Sequence, residues 1–318
     1  MIKAKSLASS RFALMEKALS MILIPIGFLL LLTSCGSQES TLRTAIMFSN
    51  TTVSYPIWAG IMAGEKDSSV LFIDLNDGSR RQLSRKNMYF NSIGKMNGHT
   101  KEFLISAKGD TGYTIYKYNY DTEKLTPHFS DEGTLNDPFQ LGDNICALHP
   151  NLKTEKGIYD FSLRCSGNFS GAAWRLTTHD VTISGNGKTS FLEGRDGWWV
   201  HELSFEIGNL VVKKYEIKTE FRPLLFYFKS DLYFRNRCHG CEIILNKLTD
   251  GKFIKTSDEN IKTLKRILSL EADDISYVDD NITVYTSVDY ENYKLTISTM
   301  TTKNGSSKDF VVDTTYYE

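Results

Sequence analysis

The sequence predicts an all-β protein, a β-propeller of six blades built from antiparallel strands. Three observations predict it. A strand–turn–strand unit recurs six times along the chain. The units follow one another at roughly the spacing of propeller blades, about 40–45 residues. Aromatic and β-branched runs are broken by Gly, Asn and Asp, in a chain with 16 Tyr, 18 Phe and only 6 Pro, which favours strands over helices.

The clearest unit is Val70-Leu-Phe-Ile-Asp-Leu-Asn-Asp-Gly-Ser-Arg-Arg-Gln-Leu83. Leu71, Ile73 and Leu75 fall on one face at period two. Asn76-Asp77-Gly78 forms a turn that needs positive φ, which these residue types tolerate. The later units are Tyr113–Leu125, Tyr159–Gly167, Trp198–Gly208, Glu242–Gly251 and Tyr293–Gly305. Their turns centre near Glu123, Gly167, Gly208, Gly251 and Gly305, spaced by 45, 44, 41, 43 and 54 residues from Gly78 onward. Upstream runs at 102–107, 144–149, 230–234 and 281–286 supply pairing strands. Each period has room for two more. A single twisted sheet cannot bury both of its faces, whereas a closed ring of sheets does so and protects most edges.

This pattern resembles the six-bladed propellers of the TolB type, whose repeats run strand, Asp-rich turn, Leu-Thr. The likeness is clearest in Leu71–Ser84 and Tyr116–Thr126. It implies architecture, not a motif-level match. A pair of β-sandwiches is the competing antiparallel arrangement.

Two segments sit outside the simple repeat. Thr256-Ser-Asp-Glu259 reads as a capping box, and Ile261, Leu264, Ile267 and Leu268 follow at helical spacing. A short helix over 257–268 is expected, with 269–278 supplying the first strand of the last blade. The run 44–61 contains strand-like Thr52-Val-Ser-Tyr55. The expectation is that it completes the final blade and so closes the ring.

The N-terminus carries a targeting signal. Lys3, Lys5, Arg11 and Lys17 precede a 12-residue apolar run, Met21–Leu32. That run is too short to span a bilayer but suits a signal-peptide core. It ends in Leu32-Thr33-Ser34-Cys35, which resembles the bacterial lipobox. The resemblance implies cleavage before Cys35 and acylation of that residue. It divides the chain into a signal peptide (1–34), a lipidated Cys with its tether (35–43) and a propeller domain (44–318). The implied partner is a membrane, reached through the anchor. Two or more acyl chains hold stably where one is marginal. Gly36, where an Asp would imply inner-membrane retention in enterobacteria, implies the outer membrane with the body facing the periplasm. The polar stretch Gly36–Leu42 reaches about 25 Å when extended. The long region before the core makes Met15 an alternative start.

Formal net charge is −1. Loss of residues 1–34 removes four basic residues and one acidic residue, leaving −4. This balance argues against a nucleic-acid partner. In an oxidising envelope the four cysteines other than Cys35 are expected to pair. Three pairings exist. Cys146–Cys165 with Cys238–Cys241 is favoured, because 146 and 165 lie on two runs that read as adjacent antiparallel strands. Cys238-His-Gly-Cys241 falls where a hairpin turn belongs. A redox or metal role remains the functional alternative for it.

No catalytic residue and no cofactor is indicated. Ser184-Gly-Asn-Gly-Lys-Thr189 has Thr182 where the first Gly of a phosphate loop belongs. His201-Glu202 lacks a second His for a zinc-protease helix. Asp273-Asp274 and Asp279-Asp280 lack calcium-loop spacing. The surface candidate is Arg195-Asp196-Gly-Trp198-Trp199. The two Trp point to opposite faces of a strand, so one can lie in the core and the other can offer a platform for a peptide or sugar. Two functions follow: a membrane-anchored envelope protein whose propeller binds proteins or peptides, or a propeller enzyme or binder of glycans or small molecules, with calcium as a candidate ion.

Overall fold

The computed structural model describes residues 47–313, apart from 65–66, 97–99, 154–158, 167–175, 178–180, 186–187, 195–196, 207–208, 237–243, 257–261, 269, 271, 290, 293 and 302. It contains six four-stranded antiparallel sheets, each contiguous in sequence. Blade 1 comprises β1 (Met47–Ser54), β2 (Ile57–Ala63), β3 (Ser68–Asp74) and β4 (Arg80–Leu83). Blade 2 comprises β5 (Tyr89–Lys95), β6 (Glu102–Gly109), β7 (Gly112–Asn119) and β8 (Lys124–Asp131). Blade 3 comprises β9 (Asn136–Leu141), β10 (Asn144–Lys153), β11 (Tyr159–Cys165) and β12 (Leu176–Thr177). Blade 4 comprises β13 (Val181–Gly185), β14 (Lys188–Gly194), β15 (Trp198–Glu206) and β16 (Asn209–Ile217). Blade 5 comprises β17 (Pro223–Phe228), β18 (Asp231–Asn236), β19 (Leu245–Thr249) and β20 (Lys252–Lys255). After helix α1 (Lys262–Leu268), blade 6 comprises β21 (Asp274–Val278), β22 (Ile282–Asp289), β23 (Lys294–Thr301) and β24 (Ser307–Asp313).

The first strands β1, β5, β9, β13, β17 and β21 touch their neighbours in that order, and β21 returns to β1. The sheets therefore form a closed ring, a six-bladed propeller. The strand of each of the six repeat units is the third strand of a blade, β3, β7, β11, β15, β19 and β23. At the turn after β3 Gly78 takes φ +83° and its amide bonds the Asp74 carbonyl at 2.7 Å. The side chain of Asp77 accepts the Ser79 amide at 2.7 Å.

Period-two patterning explains the core. Each central strand sends alternate side chains to opposite neighbours. In β2, Ile57, Ala59 and Ile61 pack toward blade 2, while Trp58 packs toward blade 6. In β10, Ile145 and Ala147 face blade 2, while Cys146 and Leu148 face blade 4. The result is six apolar clusters, one for each blade interface.

The ring closes differently from the sequence expectation. The run 47–54 is not a strand of the last blade. It is the first strand of blade 1, paired to β2 with Val53 opposite Trp58 and Ser54 opposite Ile57. The turn Tyr55-Pro56 makes this local hairpin, and closing so short a loop costs far less than pairing with a distant strand. Blade 6 already has β24 as its fourth strand. The seam between blades 6 and 1 is therefore held by side chains. Leu71, Ile73 and Leu75 meet Val284, Leu295, Ile297, Phe310 and Val312 there, around the fully buried Trp58. At its surface Arg80 donates to the Val311 carbonyl at 2.8 Å, and Lys308 donates to the Asn76 carbonyl at 2.7 Å.

Between blades 5 and 6, residues 262–268 are helical, and 257–261 of the expected helix lie outside the described residues. Leu264 and Ile267 are buried in the interface with Phe226, Tyr233 and Ile275. Arg235 donates to the Ile267 carbonyl at 3.0 Å, near the helix C-terminus where a cation is favourable.

Candidate functional site

Blade 4 brings together a cluster that includes one of the two candidate tryptophans. Strands β14, β15 and β16 pair in register, placing Glu193 opposite Trp199 and His201 opposite Lys214. Side chains directly opposite share a face, so these four lie together on the blade 3 side of the sheet. Lower on that face, Phe191 and Leu203 enter the blade 3–4 core. The face thus changes from apolar to polar toward the β14–β15 connection.

The geometry is closely knit. The His201 Nε2 lies 2.7 Å from Glu193 Oε2. Lys214 Nζ donates to the same oxygen at 2.8 Å. The Lys214 ammonium also stands 4.7 Å from the Trp199 ring centre, a cation–π contact of about 0.5–2 kcal/mol. Glu193 and His201 are 9% and 5% exposed, so the carboxylate is withdrawn from bulk water and depends on its partners. Burial alone would raise its pKa. The hydrogen bonds from Lys214 and His201 outweigh that and hold it below the usual carboxylate value. Burial pushes the His201 imidazole below its ordinary value, despite the carboxylate beside it.

Trp198 is placed otherwise. It packs against the blade 4–5 cluster, and its ring covers Gly194, where a Cβ would meet it at 2.6 Å. On that face Ser190 Oγ and the Tyr227 hydroxyl are 2.7 Å apart, and burial raises the Tyr227 phenol well above its ordinary value. Lys188 reaches Glu202, a second buried carboxylate, at 3.3 Å. Blade 4 thus holds one buried Glu on each face.

Arg195 and Asp196 lie outside the described residues, as do Cys35, Cys238 and Cys241. Cys146 and Cys165 sit opposite one another in β10 and β11 and form a disulfide with 3.9 Å between their Cα atoms. The two aspartate pairs do not gather. They flank opposite ends of β21, about 17 Å apart along a five-residue strand. Asp273 accepts the Val288 amide, Asp279 accepts the amides of Asn281 and Ile282 and the Tyr277 hydroxyl, and Asp280 pairs with Lys229. Among the described residues no group of three metal-ligating side chains occurs.

Sequence reasoning missed Glu193, His201 and Lys214 as a unit. They are separated by 8 and 13 positions and meet only through the strand register. The available signal was Gly194–Gly197 as a hairpin between alternating runs, which sets 193 opposite 199.

No protein-family model matches this sequence, and comparison with curated proteins returns no match. Solved structures are similar at low identity. TolB from Acinetobacter baumannii matches at 12% identity and TM-score 0.48, over 77% of this chain and 60% of that one. A putative TolB from Agrobacterium tumefaciens matches at 14% and 0.49, over 79% and 91%. An acylaminoacyl peptidase from Pyrococcus horikoshii matches at 10% and 0.49, over 85% of this chain and 53% of that one. Likenesses this distant assign no function to this chain.

Proposed function

We propose that this chain is a bacterial envelope lipoprotein whose propeller binds a protein or peptide partner. The observation that carries the binding reading is the half-buried Trp199 set under Lys214 beside the buried Glu193–His201 pair. An aromatic next to fixed charges is the composition of an interface anchor. Strand register and buried hydrogen bonds hold its parts, so little side-chain entropy is lost when a partner docks.

The anchor reading rests on Leu32-Thr33-Ser34-Cys35 behind a charged and apolar leader. Acylation at Cys35 keeps the body near the bilayer, with the outer membrane as the proposed site and the periplasm as the facing compartment. Cys238 and Cys241 are proposed as a second disulfide in that compartment.

The test is crosslinking in cells that express the tagged chain, followed by purification and mass spectrometry. One or two envelope proteins in near-equal amount should be recovered, be lost or mislocated with Cys35→Ala, and be reduced with Trp199→Ala. Recovery of no stoichiometric partner would reject this reading in favour of a propeller acting on glycans or small molecules. A metal and glycan screen on the soluble body would then decide that alternative.

A further inference from the structure

The six outer strands of a propeller all expose a sheet edge, and proteins usually blunt such edges. Here β4 and β20 have four residues and β12 has two. β8 carries Pro127 opposite Tyr116, beside a register shift. The β24 edge is engaged by Arg80, which crosses the seam to the Val311 carbonyl. β16 is different. It runs nine residues and pairs with β15 through nine successive positions without a bulge. Its sequence, Asn209–Ile217, contains no Pro and no Gly.

Alternate residues of an edge strand direct N–H and C=O groups away from the sheet. Among the described residues, nothing outside blade 4 hydrogen-bonds to residues 209–216. β20 approaches the blade 5 side of β16, where a Cβ on Gly251 would lie 3.8 Å from the Tyr215 ring, but the two strands form no ladder. Val212, at 37% exposed, lies on this strand.

We propose that the outer edge of β16 docks an extended acidic segment of a partner protein, which adds to blade 4 as a fifth strand. This rests on the reading of the propeller as a protein-binding module and names the surface and chemistry used. The charge of the edge selects the occupant. Lys213 and Lys214 stand at the centre of the strand, and β16 and β20 together carry four lysines and one glutamate in a chain of net charge −1. A second copy pairing antiparallel about the strand centre would set lysine against lysine, which is destabilising. An acidic strand meets the same lysines favourably. Lys214 is already held by Glu193, so the partner's carboxylate belongs opposite Lys213. The Lys213 contact with Glu206 is 3.8 Å between largely exposed groups and contributes little.

The test uses the full chain and two synthetic peptides of roughly eight residues, alternating Thr and Val, with either two central glutamates or two central lysines. The glutamate peptide is expected to bind roughly tenfold more tightly. Hydrogen exchange should slow along 209–217, N-methylation of alternate peptide amides should abolish binding, and Lys213→Glu should invert the preference. Equal affinity for both peptides, or indifference to N-methylation, overturns the proposal. So does concentration-dependent protection of β16 without peptide, which would make the occupant a second copy. Protection elsewhere on the propeller overturns the edge but leaves the protein-binding reading standing. Failure of the in-cell crosslinking while the peptide docks at β16 rejects the cellular reading alone.

Discussion

Tyr55 and Tyr277 stack across the seam between the first and last blades, with ring centres 5.5 Å apart and planes 16° from parallel. The Tyr55 hydroxyl reaches Asn76 at 3.5 Å, and the Tyr277 hydroxyl donates to Asp279 at 2.9 Å. Each ring is thus fixed within its own blade and meets the other across a junction that no shared strand spans. Tyr277→Ala is expected to cost roughly 1–3 kcal/mol, lowering the thermal midpoint by several degrees. Tyr277→Phe should retain most of that. Trp58→Ala, at the centre of the same seam, should cost about 3–5 kcal/mol. Scanning calorimetry of the three variants checks this, and equal midpoints for Tyr277→Ala and the parent would remove the seam from any role in closure.

The Cys146–Cys165 bridge closes a loop of sequence separation 19. By chain entropy it contributes about 3 kcal/mol. Cys146→Ala/Cys165→Ala should therefore shift the urea midpoint downward with the slope nearly unchanged. Reducing agent should shift the parent in the same direction, and should shift the double variant less, through the proposed Cys238–Cys241 bridge alone.

Gly94 on β5 has no space for a side chain. A Cβ there would overlap the Pro138 carbonyl oxygen on β9, so the innermost strands of blades 2 and 3 approach backbone to backbone. Gly94→Ala forces one strand to move. We expect a loss of about 3 kcal/mol or more, read as a lower midpoint or as failure to accumulate folded protein. By contrast, Gly109→Ala, where a Cβ meets nothing within 4 Å, should be tolerated.

The Glu193–His201 pair gives stability a defined pH dependence. The His201 pKa is lowered in the folded state, so between about 6.5 and that lower value the unfolded chain binds the proton first. Stability from this group is full above about pH 6.5 and declines as pH falls through that window. The Glu193 pKa is also lowered, so its contribution is present above its ordinary value and is lost as pH falls through the folded one. Thermal midpoints should thus fall in two stages on acidification. His201→Gln should shrink the earlier stage, to which His128, lowered by burial and by Lys117, also contributes, and keep the later, and an unchanged pH profile in that variant would refute the assignment.

Particular elements show how much was legible from residues alone. Leu71, Ile73 and Leu75 share a face by alternation, and they do lie together in one cluster. Their partners on blade 6 could not be read, because a side-chain period carries no information about which distant sheet it will meet. Counting along two adjacent strands sets Cys146 opposite Cys165, since a local hairpin fixes register. Strand alternation sends Trp198 and Trp199 to opposite faces. That Trp199 sits beneath Lys214, with His201 and Glu193 beside it, required the pairing of three strands at once.

The sequence by itself determined the third strand of each blade, the second strand of four blades, their turns and the period, because these depend on neighbours within a few residues: alternation, tight turns and hairpin closure. It also carried the apolar run Met21–Leu32 and the Leu32–Cys35 pattern on which the proposed lipid anchor rests, and these are read linearly. Only the tertiary structure decided that 47–54 opens blade 1 rather than finishing blade 6, which carboxylates are buried, and which outer edge is long and, among the described residues, without a strand beside it. Those outcomes are set by competition between distant segments for the same apolar surface and the same backbone partners, and the winner depends on the whole ring.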